Sequence, residues 1–578
     1  MIRNVAICLV VASALTGSAL HATRPADAVR ATGRPPDPAD DVLGWEEGYW
    51  YNESLSITQS DGLNGSERRA LVTRTMARVE HIRRLEFRRD VPIVVRNRST
   101  FRRRVRNGST NATRRLFDNV KFEALLLVGE SAGSVAVQNE NTATRVLGFY
   151  SPARNRIVVI AENDSAVRLD ELTLAHELVH ALQDQHFNLT RYDGATRDGV
   201  NALDGLIEGD AEYVTYLYGQ QRCNDASHPW NGTCVTPSDR QGGSGEGDDS
   251  RSDGGVNYGI VVLKSLPYSD GPAFVHHVRE RGGWSAVNAL YEAPPVSAEQ
   301  VVTPSKYQSD LPASPSLRDR TTASWVRVRP PGRPDYAEVG LGGVAAMLVR
   351  PLYHSEGRAQ IVSPEDWFNR TASGTLSTFE PVNYSVTAAD GWEGDRMHVY
   401  RRPATGETAY VWRIRWESGA DAAVFLDTYL EVLEYWGAEQ AGPRTWVIDE
   451  GPFADAFYVT RANSTVTIVN APTREQLPAV WAPVAADRST TSPGTTTGPG
   501  PGPTTDPSVT TAGSTTDPSV TTADPRGRDE STAAPPTTRS TTARRTTTPG
   551  VPGFGVVGTL AAVAATAASL RRWRRGRP

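Results

Sequence analysis

The chain has 578 residues, of which 39% are hydrophobic and 22% are charged, and its formal net charge is −5. This length allows two or three domains, and the slightly acidic balance excludes a basic protein that binds nucleic acid. Three cysteines are too few for a disulfide-rich scaffold or a cysteine-based metal site. Residues 23–486 hold 49 basic and 60 acidic side chains, so this body carries −11 and is more acidic than the whole chain.

The first 22 residues have the pattern of a secretory signal peptide. Arg3 is followed by an apolar run from Val5 to Leu15 and then by small residues up to Ala22. A charged start, a short apolar stretch and a small-residue cleavage zone direct export, and the run is too short to span a bilayer. We therefore expect residues 1–22 to be a signal peptide and the protein to be exported.

Before residue 161, the sequence predicts a few β-strands between helical segments. Residues 91–97 have an apolar strand pattern, and residues 148–150 with 156–160 predict a β-hairpin. The arginine-rich patch at 102–106 is typical of a solvated face. The hairpin lies shortly before the segment with the strongest chemical signal.

Residues 171–187, ELTLAHELVHALQDQHF, predict a helix. Leu174, Leu178 and Leu182 recur with helical spacing, and Asp170 can cap the first turn. The helix contains an H-E-x-x-H motif, which places two histidines four residues apart on one helix face.

This motif predicts a zinc site. His176 and His180 can each present one imidazole nitrogen to the same ion. Glu177 beside them can take a proton from water at the metal and is the predicted general base.

A catalytic zinc needs a third protein ligand, and two residues compete for this role. His186 stands where metzincins place their third histidine, but the glycine that turns the chain in that pattern is Gln183 here. In an uninterrupted helix His186 lies about 280° around and about 15 Å along from His176, too far to share the ion. Residues 202–218 predict a second helix, and its Glu208 is the preferred third ligand.

Three further carboxylates are predicted to surround the site. Glu212 follows Glu208 by one turn and can hydrogen-bond a liganding histidine, and Asp210 and Asp184 are weaker candidates for the same role. The residue that stabilises the oxyanion stays open among Tyr213, Tyr216, His228, His276 and His277.

The remaining part of the body predicts a C-terminal α+β subdomain over residues 321–486. It combines a half-buried strand, an amphipathic helix and two further strand segments. These patterns lie at residues 410–416, 425–436, 445–449 and 456–470.

Two further features indicate a location outside the cell. Cys223 and Cys234 are predicted to form a disulfide, because exported chains meet an oxidising environment. Eleven N-glycosylation sequons are more than chance predicts. They are Asn52, Asn64, Asn97, Asn107, Asn111, Asn163, Asn188, Asn231, Asn369, Asn383 and Asn463.

The end of the chain predicts a stalk and a membrane anchor. Residues 487–548 are dominated by Thr, Pro, Ser and Gly, which predicts a disordered stalk. Residues 551–570 are apolar and about long enough to cross a bilayer as one helix. The arginine cluster within 571–575 is expected to stay cytoplasmic, so the preceding chain lies outside.

The segment HELVHALQDQHF followed by LIEGDAEY resembles gluzincin-type zinc metallopeptidases. In that group H-E-x-x-H supplies two ligands and a glutamate on a following helix supplies the third. The resemblance implies that His176, His180 and Glu208 bind one zinc ion per chain and that Glu177 is the general base. It also implies a zincin-like fold, whose hairpin before the helix aligns an extended peptide or protein substrate.

Pro552-Gly553-Phe554, with the stalk before it and the apolar helix and arginines after it, resembles the PGF-CTERM sorting signal of archaeal surface proteins. The resemblance covers residues 549–578. It implies that an archaeosortase-type enzyme removes the helix and that a lipid replaces it. The protein would then be anchored by its C-terminus on the outer face of the cell membrane.

Together these observations predict an α+β protein with a zincin-like catalytic core at residues 23–320, built from a mixed sheet and the active-site helices. The C-terminal subdomain, the stalk and one transmembrane helix follow it. The expected function is a cell-surface zinc metallopeptidase. Two alternatives stay open, a non-catalytic zinc-binding surface glycoprotein of the cell envelope and a metallohydrolase of a non-peptide amide. Glu177 favours catalysis, because a structural zinc site needs no base.

Overall fold

The structure is a computed structural model that describes residues 37–108, 110–161, 168–222, 230, 234–237, 256–377 and 380–485. The predicted signal peptide, stalk and sorting signal lie outside these ranges, as do Cys223, His228, Asn163 and Asn231. In the part of the chain that is described, no helix is long and apolar enough to cross a membrane. The predicted span at 551–570 lies outside that part.

Helices and strands are mixed along the described chain, which confirms the α+β class. The helices are α1 (Gly65–Arg83), α2 (Arg98–Arg106), α3 (Ala112–Ala124), α4 (Ser134–Arg145), α5 (Glu171–Phe187), α6 (Arg197–Arg222), α7 (Tyr258–Ser269), α8 (Gly271–Leu290), α9 (Ala298–Val302), α10 (Gly340–His354), α11 (Pro364–Trp367), α12 (Gly419–Tyr435) and α13 (Leu477–Val480). The strands are β1 (Trp45–Glu46), β2 (Tyr49–Trp50), β3 (Ile93–Asn97), β4 (Gly148–Ser151), β5 (Arg156–Ala161), β6 (Val326–Arg327), β7 (Trp392–Arg401), β8 (Thr408–Trp416), β9 (Glu439–Gly442), β10 (Thr445–Val447), β11 (Ala456–Ala462) and β12 (Thr465–Ala471).

A small mixed sheet lies against α5. Its strand order is β3-β5-β4, with β3 parallel and β4 antiparallel to β5. The central strand β5 is apolar and buried from Ile157 to Ala161. The predicted hairpin is therefore confirmed, and β4 forms one edge of the sheet.

The helix α5 packs against α1 and α6, and α6 in turn contacts α7, α8 and α10. Asp170 caps α5 by accepting a hydrogen bond from the Thr173 backbone N–H, as predicted, and Asn188 ends it in a left-handed conformation. Leu174, Leu178 and Leu182 are fully buried, which confirms the predicted apolar stripe.

The C-terminal part of the described chain forms a seven-stranded sheet in the order β6-β7-β8-β12-β11-β10-β9. Every neighbouring pair is antiparallel. On one face of β8, Tyr410, Trp412 and Ile414 are buried in the main core, as the alternating pattern predicts. The other face is buried only at its start, where Ala409 and Val411 join a smaller apolar cluster that includes α13 residues.

One cluster of buried apolar side chains runs through both predicted regions of the body. It includes Leu174 and Leu206 from the helical layer as well as Trp412 and Ile468 from the large sheet. The connection is made by α10, which belongs to the C-terminal segment but packs against α6 and α7.

Candidate metal centre

Two histidines of α5 and one glutamate of α6 converge on a single point. The Nε2 atoms of His176 and His180 are 3.1 Å apart. The Oε2 atom of Glu208 is 3.4 Å from the first nitrogen and 3.3 Å from the second. The structure therefore brings together the three residues that the sequence predicts as ligands, and their three atoms form a nearly equilateral triangle.

This triangle is close to the size that a tetrahedral zinc ion requires, with the two histidine nitrogens slightly nearer to each other. Zinc binds histidine nitrogen and carboxylate oxygen at about 2.0–2.2 Å, so two ligand atoms at the tetrahedral angle lie about 3.3–3.6 Å apart. All three side chains are at least 95% buried. Glu208 Oε2 is buried and accepts no hydrogen bond from the described residues, an unsatisfied state that a metal ion would relieve.

The charges around the site favour a cation. Burial alone would lower the pKa of His176, but the carboxylates of Glu208, Glu212 and Glu177 raise this pKa to about 10. Burial lowers the pKa of His180, because it outweighs the attraction of Glu208. The two imidazoles differ because His176 faces more carboxylates, and the pocket around it has a strongly negative potential.

The predicted base, Glu177, is fully buried, and its charge acts on His176. Its Oε2 atom accepts a hydrogen bond of 2.8 Å from the backbone N–H of Tyr150 on the edge strand β4. The Tyr150 hydroxyl donates to Asp184, whose other oxygen accepts the backbone N–H of Leu189. Asp184, a predicted neighbour of the ligands, therefore acts on Glu177 through Tyr150 and does not touch the histidines in these bonds.

The other two predicted neighbours reach the histidines in different ways. Glu212 Oε2 lies 3.4 Å from Nδ1 of His176, the nitrogen that points away from the triangle. Asp210 acts through Gln183, which was not predicted to have a role. The amide of Gln183 lies 3.3 Å from an Asp210 oxygen, and its carbonyl oxygen is 2.7 Å from Nδ1 of His180.

Gln183 fixes which nitrogen of His180 is available to a metal. An amide oxygen only accepts hydrogen bonds, so Nδ1 of His180 carries the proton and Nε2 presents its lone pair to the triangle. The signal that could have found Gln183 is its position three residues after His180, which places both on one helix face.

His186 takes no part in the triangle. Its Nδ1 atom is 3.2 Å from the Arg88 guanidinium, and its Nε2 atom is 2.7 Å from the carbonyl oxygen of Glu86. The α5 helix runs without interruption past Gln183, so the rotation expected of a straight helix separates His186 from His176.

Among the oxyanion candidates, Tyr213 is buried and its hydroxyl lies 3.1 Å from Nδ1 of His276.

Buried arginines of α1 hold α5 and α6 through carboxylates on each helix, and the sequence did not predict this role. Arg74 and Arg78 each contact Glu171, the first residue of α5, at 2.6 Å, and all three side chains are fully buried. Arg83 contacts Asp210 on α6 at 2.9 Å. Burial would raise the pKa of Glu171, but the two arginines outweigh it and lower this pKa.

The Glu171 carboxylate also accepts hydrogen bonds from two other parts of the structure. Glu171 accepts hydrogen bonds from the Tyr218 hydroxyl on α6 and from the Val235 backbone N–H. The Val235 carbonyl accepts the Glu171 backbone N–H at 3.1 Å, so the segment next to Cys234 clamps the start of α5. Cys234 is disulfide-bonded, and Cys223, its predicted partner, lies outside the described residues.

Gly209, which follows Glu208, allows α8 to approach α6. A Cβ atom at this position would lie 2.4 Å from the carbonyl carbon of Gly271, at the first residue of α8. Any side chain would therefore push α8 away from the turn of α6 that carries Glu208. This contact gives a physical reason for the glycine that follows Glu208.

The predicted glycosylation residues lie at the surface. None of the nine that fall within the described ranges is buried. Three of them cap helices, since Asn64, Asn97 and Asn111 accept backbone N–H groups through their side-chain oxygens. This capping uses the oxygen and leaves the amide nitrogen, where a glycan attaches, out of the cap.

Comparisons with known proteins reach only the C-terminal segment. Residues 326–481 match the family described as Domain of unknown function (DUF8575). The match spans about a quarter of the chain and does not include the triangle. No curated protein and no solved structure matches the chain. Over residues 326–481, the chain is thus similar to a family whose description assigns no function.

Proposed function

We propose that this protein is an exported, cell-surface zinc metallopeptidase with a zincin-like core. The observation that carries the proposal is the buried triangle of His176, His180 and Glu208, together with the buried carboxylate of Glu177, whose charge acts on His176. Two nitrogens and one oxygen at tetrahedral spacing are the donor set of a catalytic zinc site.

The number of ligands supports a catalytic rather than a structural ion. Structural zinc sites use four protein ligands, whereas catalytic sites use three and keep one position open. Glu212 faces the outer nitrogen of His176, so it supports that imidazole and does not provide a fourth ligand to the triangle.

Zinc held by these residues would supply a Lewis acid that polarises a peptide carbonyl and lowers the pKa of water. Glu177 takes a proton from the attacking water, whose oxygen forms the new bond to the carbonyl carbon. When the C–N bond breaks, Glu177 gives this proton to the leaving amine. The Tyr150 backbone N–H holds the carboxylate in place for both transfers.

The edge strand β4 supports an extended peptide as the substrate. Tyr150 pairs with Ile157 on β5, and its N–H points away from β5 toward Glu177. The outer side of β4 therefore faces the base, and a substrate that adds to this edge as a strand would bring its backbone to Glu177.

The first test measures the metal. We expect the purified protein to contain one zinc per chain and to cleave members of a peptide library, and a chelator should abolish cleavage. Glu208→Gln should lose most of the zinc, because it removes one of three ligands. Glu280→Gln on α8, whose side chain is 63% exposed, is the control and should keep both metal and activity.

Two results would count against the proposal. Wild-type protein without zinc after purification in zinc-containing buffer would contradict the site. Stoichiometric zinc without cleavage of any peptide would favour the non-catalytic zinc-binding surface glycoprotein. That alternative draws support from the almost complete burial of the three ligands and Glu177.

Gln183→Ala should weaken zinc binding by about 10- to 100-fold, because His180 loses the partner that fixes its tautomer. Competition with a chromogenic chelator measures this affinity, and saturating zinc should restore activity. Gln185→Ala on the same helix is the matched control, since Gln185 contacts the backbone of residues 88 and 89 instead. Equal zinc affinities for the two variants would remove Gln183 from the site.

The exported, C-terminally anchored location belongs to the same proposal. Two observations support it: none of the described sequon asparagines is buried, and Cys234 is disulfide-bonded. We propose that an archaeosortase-type enzyme processes the sorting signal and that the membrane holds the protein through its C-terminal helix or a replacing lipid.

A further inference from the structure

Four arginines lie close together near the start of β5. They are Arg96 on β3, Arg104 on α2, Arg154 in the turn between β4 and β5, and Arg156 at the first residue of β5. The first three are exposed, and Arg156 is half-buried. These residues, named here the four-arginine cluster, concentrate positive charge on a body that carries −11.

The four guanidinium groups make no hydrogen bond or ion pair with any described residue. The Nε atom of Arg156 is buried without an acceptor in that part of the chain. Partial burial and the charges of Arg154, Arg96 and Arg104 lower the pKa of Arg156, and no acidic side chain is among the groups that act on it. Like charges held together in this way attract an anionic partner.

Two acidic side chains of the same region act on other arginines. Glu140 on α4 pairs with Arg106 at the end of α2, at 2.7 Å. The Asp90 carbonyl accepts a hydrogen bond from Asn155 in the β4–β5 turn, but the charge of Asp90 acts on Arg69 of α1. The described residues therefore leave the charge of the four-arginine cluster unbalanced.

The cluster adjoins the edge strand on which the proposed substrate lies. Arg156 pairs with Ser151, the residue that follows Tyr150 on β4. The Tyr150 N–H binds Glu177 at 2.8 Å, and an extended chain advances about 3.3 Å per residue. Arg154 and Arg156 therefore lie within a few residues of the base, measured along the edge strand.

The helix α2 places Arg104 on the side of the sheet that Arg156 occupies. Side chains alternate along a strand, so Arg156 shares a face of β5 with Val158 and Ile160. These two residues join Val105 of α2 in one apolar cluster, so α2 covers this face. Arg104 directly precedes Val105 and is exposed at the rim of the covered face.

We propose that the four-arginine cluster binds acidic side chains of the peptide substrate, so that the protein prefers peptides that are acidic on one side of the scissile bond. This inference rests on the proposed function. A guanidinium group pairs with a carboxylate through two parallel hydrogen bonds, which suits an aspartate or glutamate side chain. The acidic body repels such a peptide elsewhere, so the cluster also orients it on the edge strand.

The test compares matched forms of one peptide that the zinc-loaded full chain cleaves. Glutamate or glutamine is placed about two to five residues from the scissile bond, first on one side and then on the other. On one side, we expect glutamate to raise kcat/KM by about 3- to 10-fold over glutamine, mainly through a lower KM. Salt at about 1 M should remove most of this preference, because it screens exposed charges.

Variants assign the preference to the cluster. The double variant Arg154→Gln and Arg156→Gln should lower the ratio of the two kcat/KM values to about one. It should fold with the wild-type Tm, because neither guanidinium group has a partner among the described residues. The matched control is Arg103→Gln with Arg106→Gln, which removes two charges from α2 that bond to Thr100 and Glu140 instead. The control should keep the preference.

Binding to the zinc-loaded Glu177→Gln protein separates this inference from the proposed function. Fluorescence anisotropy should show that the glutamate peptide binds about 3- to 10-fold more tightly than the glutamine peptide, and the double variant should lose the difference. This result without cleavage of any peptide by the wild type would contradict the peptidase and support the cluster. Cleavage of both peptides at equal rates and with equal affinities would overturn the cluster and leave the peptidase.

Two other anionic partners would also overturn the inference. Sedimentation with phosphatidylglycerol vesicles that only the double variant loses, without a preference between the peptides, would assign the cluster to a membrane surface. A dimer in sedimentation velocity that only the double variant loses, again without a preference, would assign it to the acidic surface of a second copy.

Discussion

Glu177→Gln is expected to lower kcat/KM for peptide hydrolysis by about 10²- to 10⁴-fold while one zinc stays bound. The variant keeps the shape of the side chain, and its carbonyl oxygen can still accept the Tyr150 N–H that holds Glu177 in the wild type. It cannot take up a proton, so the attacking water loses its base. Zinc is measured by elemental analysis of the purified variant, and hydrolysis with a fluorogenic peptide.

The control for this prediction is Glu212→Gln. Glu212 contacts the outer nitrogen of His176, so its loss should weaken metal binding and should be corrected by added zinc. The loss in Glu177→Gln should not respond to zinc. Full activity in a zinc-loaded Glu177→Gln protein would exclude Glu177 as the base.

Glu171→Gln is expected to lower the free energy of unfolding by about 3–5 kcal/mol, because it leaves the buried guanidinium groups of Arg74 and Arg78 without their counterion. Both arginines and Glu171 are fully inaccessible to solvent, so water cannot replace the lost carboxylate. Urea denaturation measures the change. Since the pKa of Glu171 is lowered in the folded state, its contribution is present above about pH 4.5 and is lost at more acidic pH.

The helix α1 also supplies the matched control. Arg69 pairs with Glu47 at 2.9 Å, but their side chains are 72% and 37% exposed, and Arg69→Ala should cost less than about 1 kcal/mol. Replacing Glu171, Arg74 and Arg78 together by methionine should recover much of the stability, because no charge is then left unpaired. A Glu171→Gln protein as stable as the wild type would show that the ion pairs do not hold α5.

The pairing of His176 and His180 could be predicted from sequence because its information is local. Spacings of four residues along a helix decide which side of it the two histidines occupy. The choice of Glu208 drew on the resemblance to gluzincins, because local spacing does not show that α6 packs against α5. The hairpin before α5 is likewise a short-range pattern, and its pairing agrees with the prediction.

The supports of the centre were not predictable in the same way. Arg74 and Arg78 are spaced like charges on a solvated helix face, and their partner Glu171 lies more than 90 residues away. The patch at 102–106 has a similar composition, yet Arg103 and Arg104 are exposed as expected. Only tertiary packing separates these two cases, because a buried arginine needs a carboxylate that the local sequence does not contain.

The hydrogen bond from Tyr150 to Glu177 was missed for another reason. The donor is a backbone N–H, which every residue except proline has, so residue identity gives no information about it. Its direction follows from the pairing of β4 with β5, which turns alternate N–H groups to the outer edge of the sheet.

The position of α10 has a consequence for how this protein was inherited. The helix lies within residues 326–481, the segment that matches a known family, but it packs against α6 and α7, which lie outside that segment. Transfer of this segment without α6 and α7 into an unrelated protein would expose the apolar residues of α10 to solvent. Met347 and Leu348, which are fully buried here, are among them. Relatives that carry the segment should therefore also carry a helical surface equivalent to α6 and α7, whether or not they retain the histidines and glutamates of the metal centre.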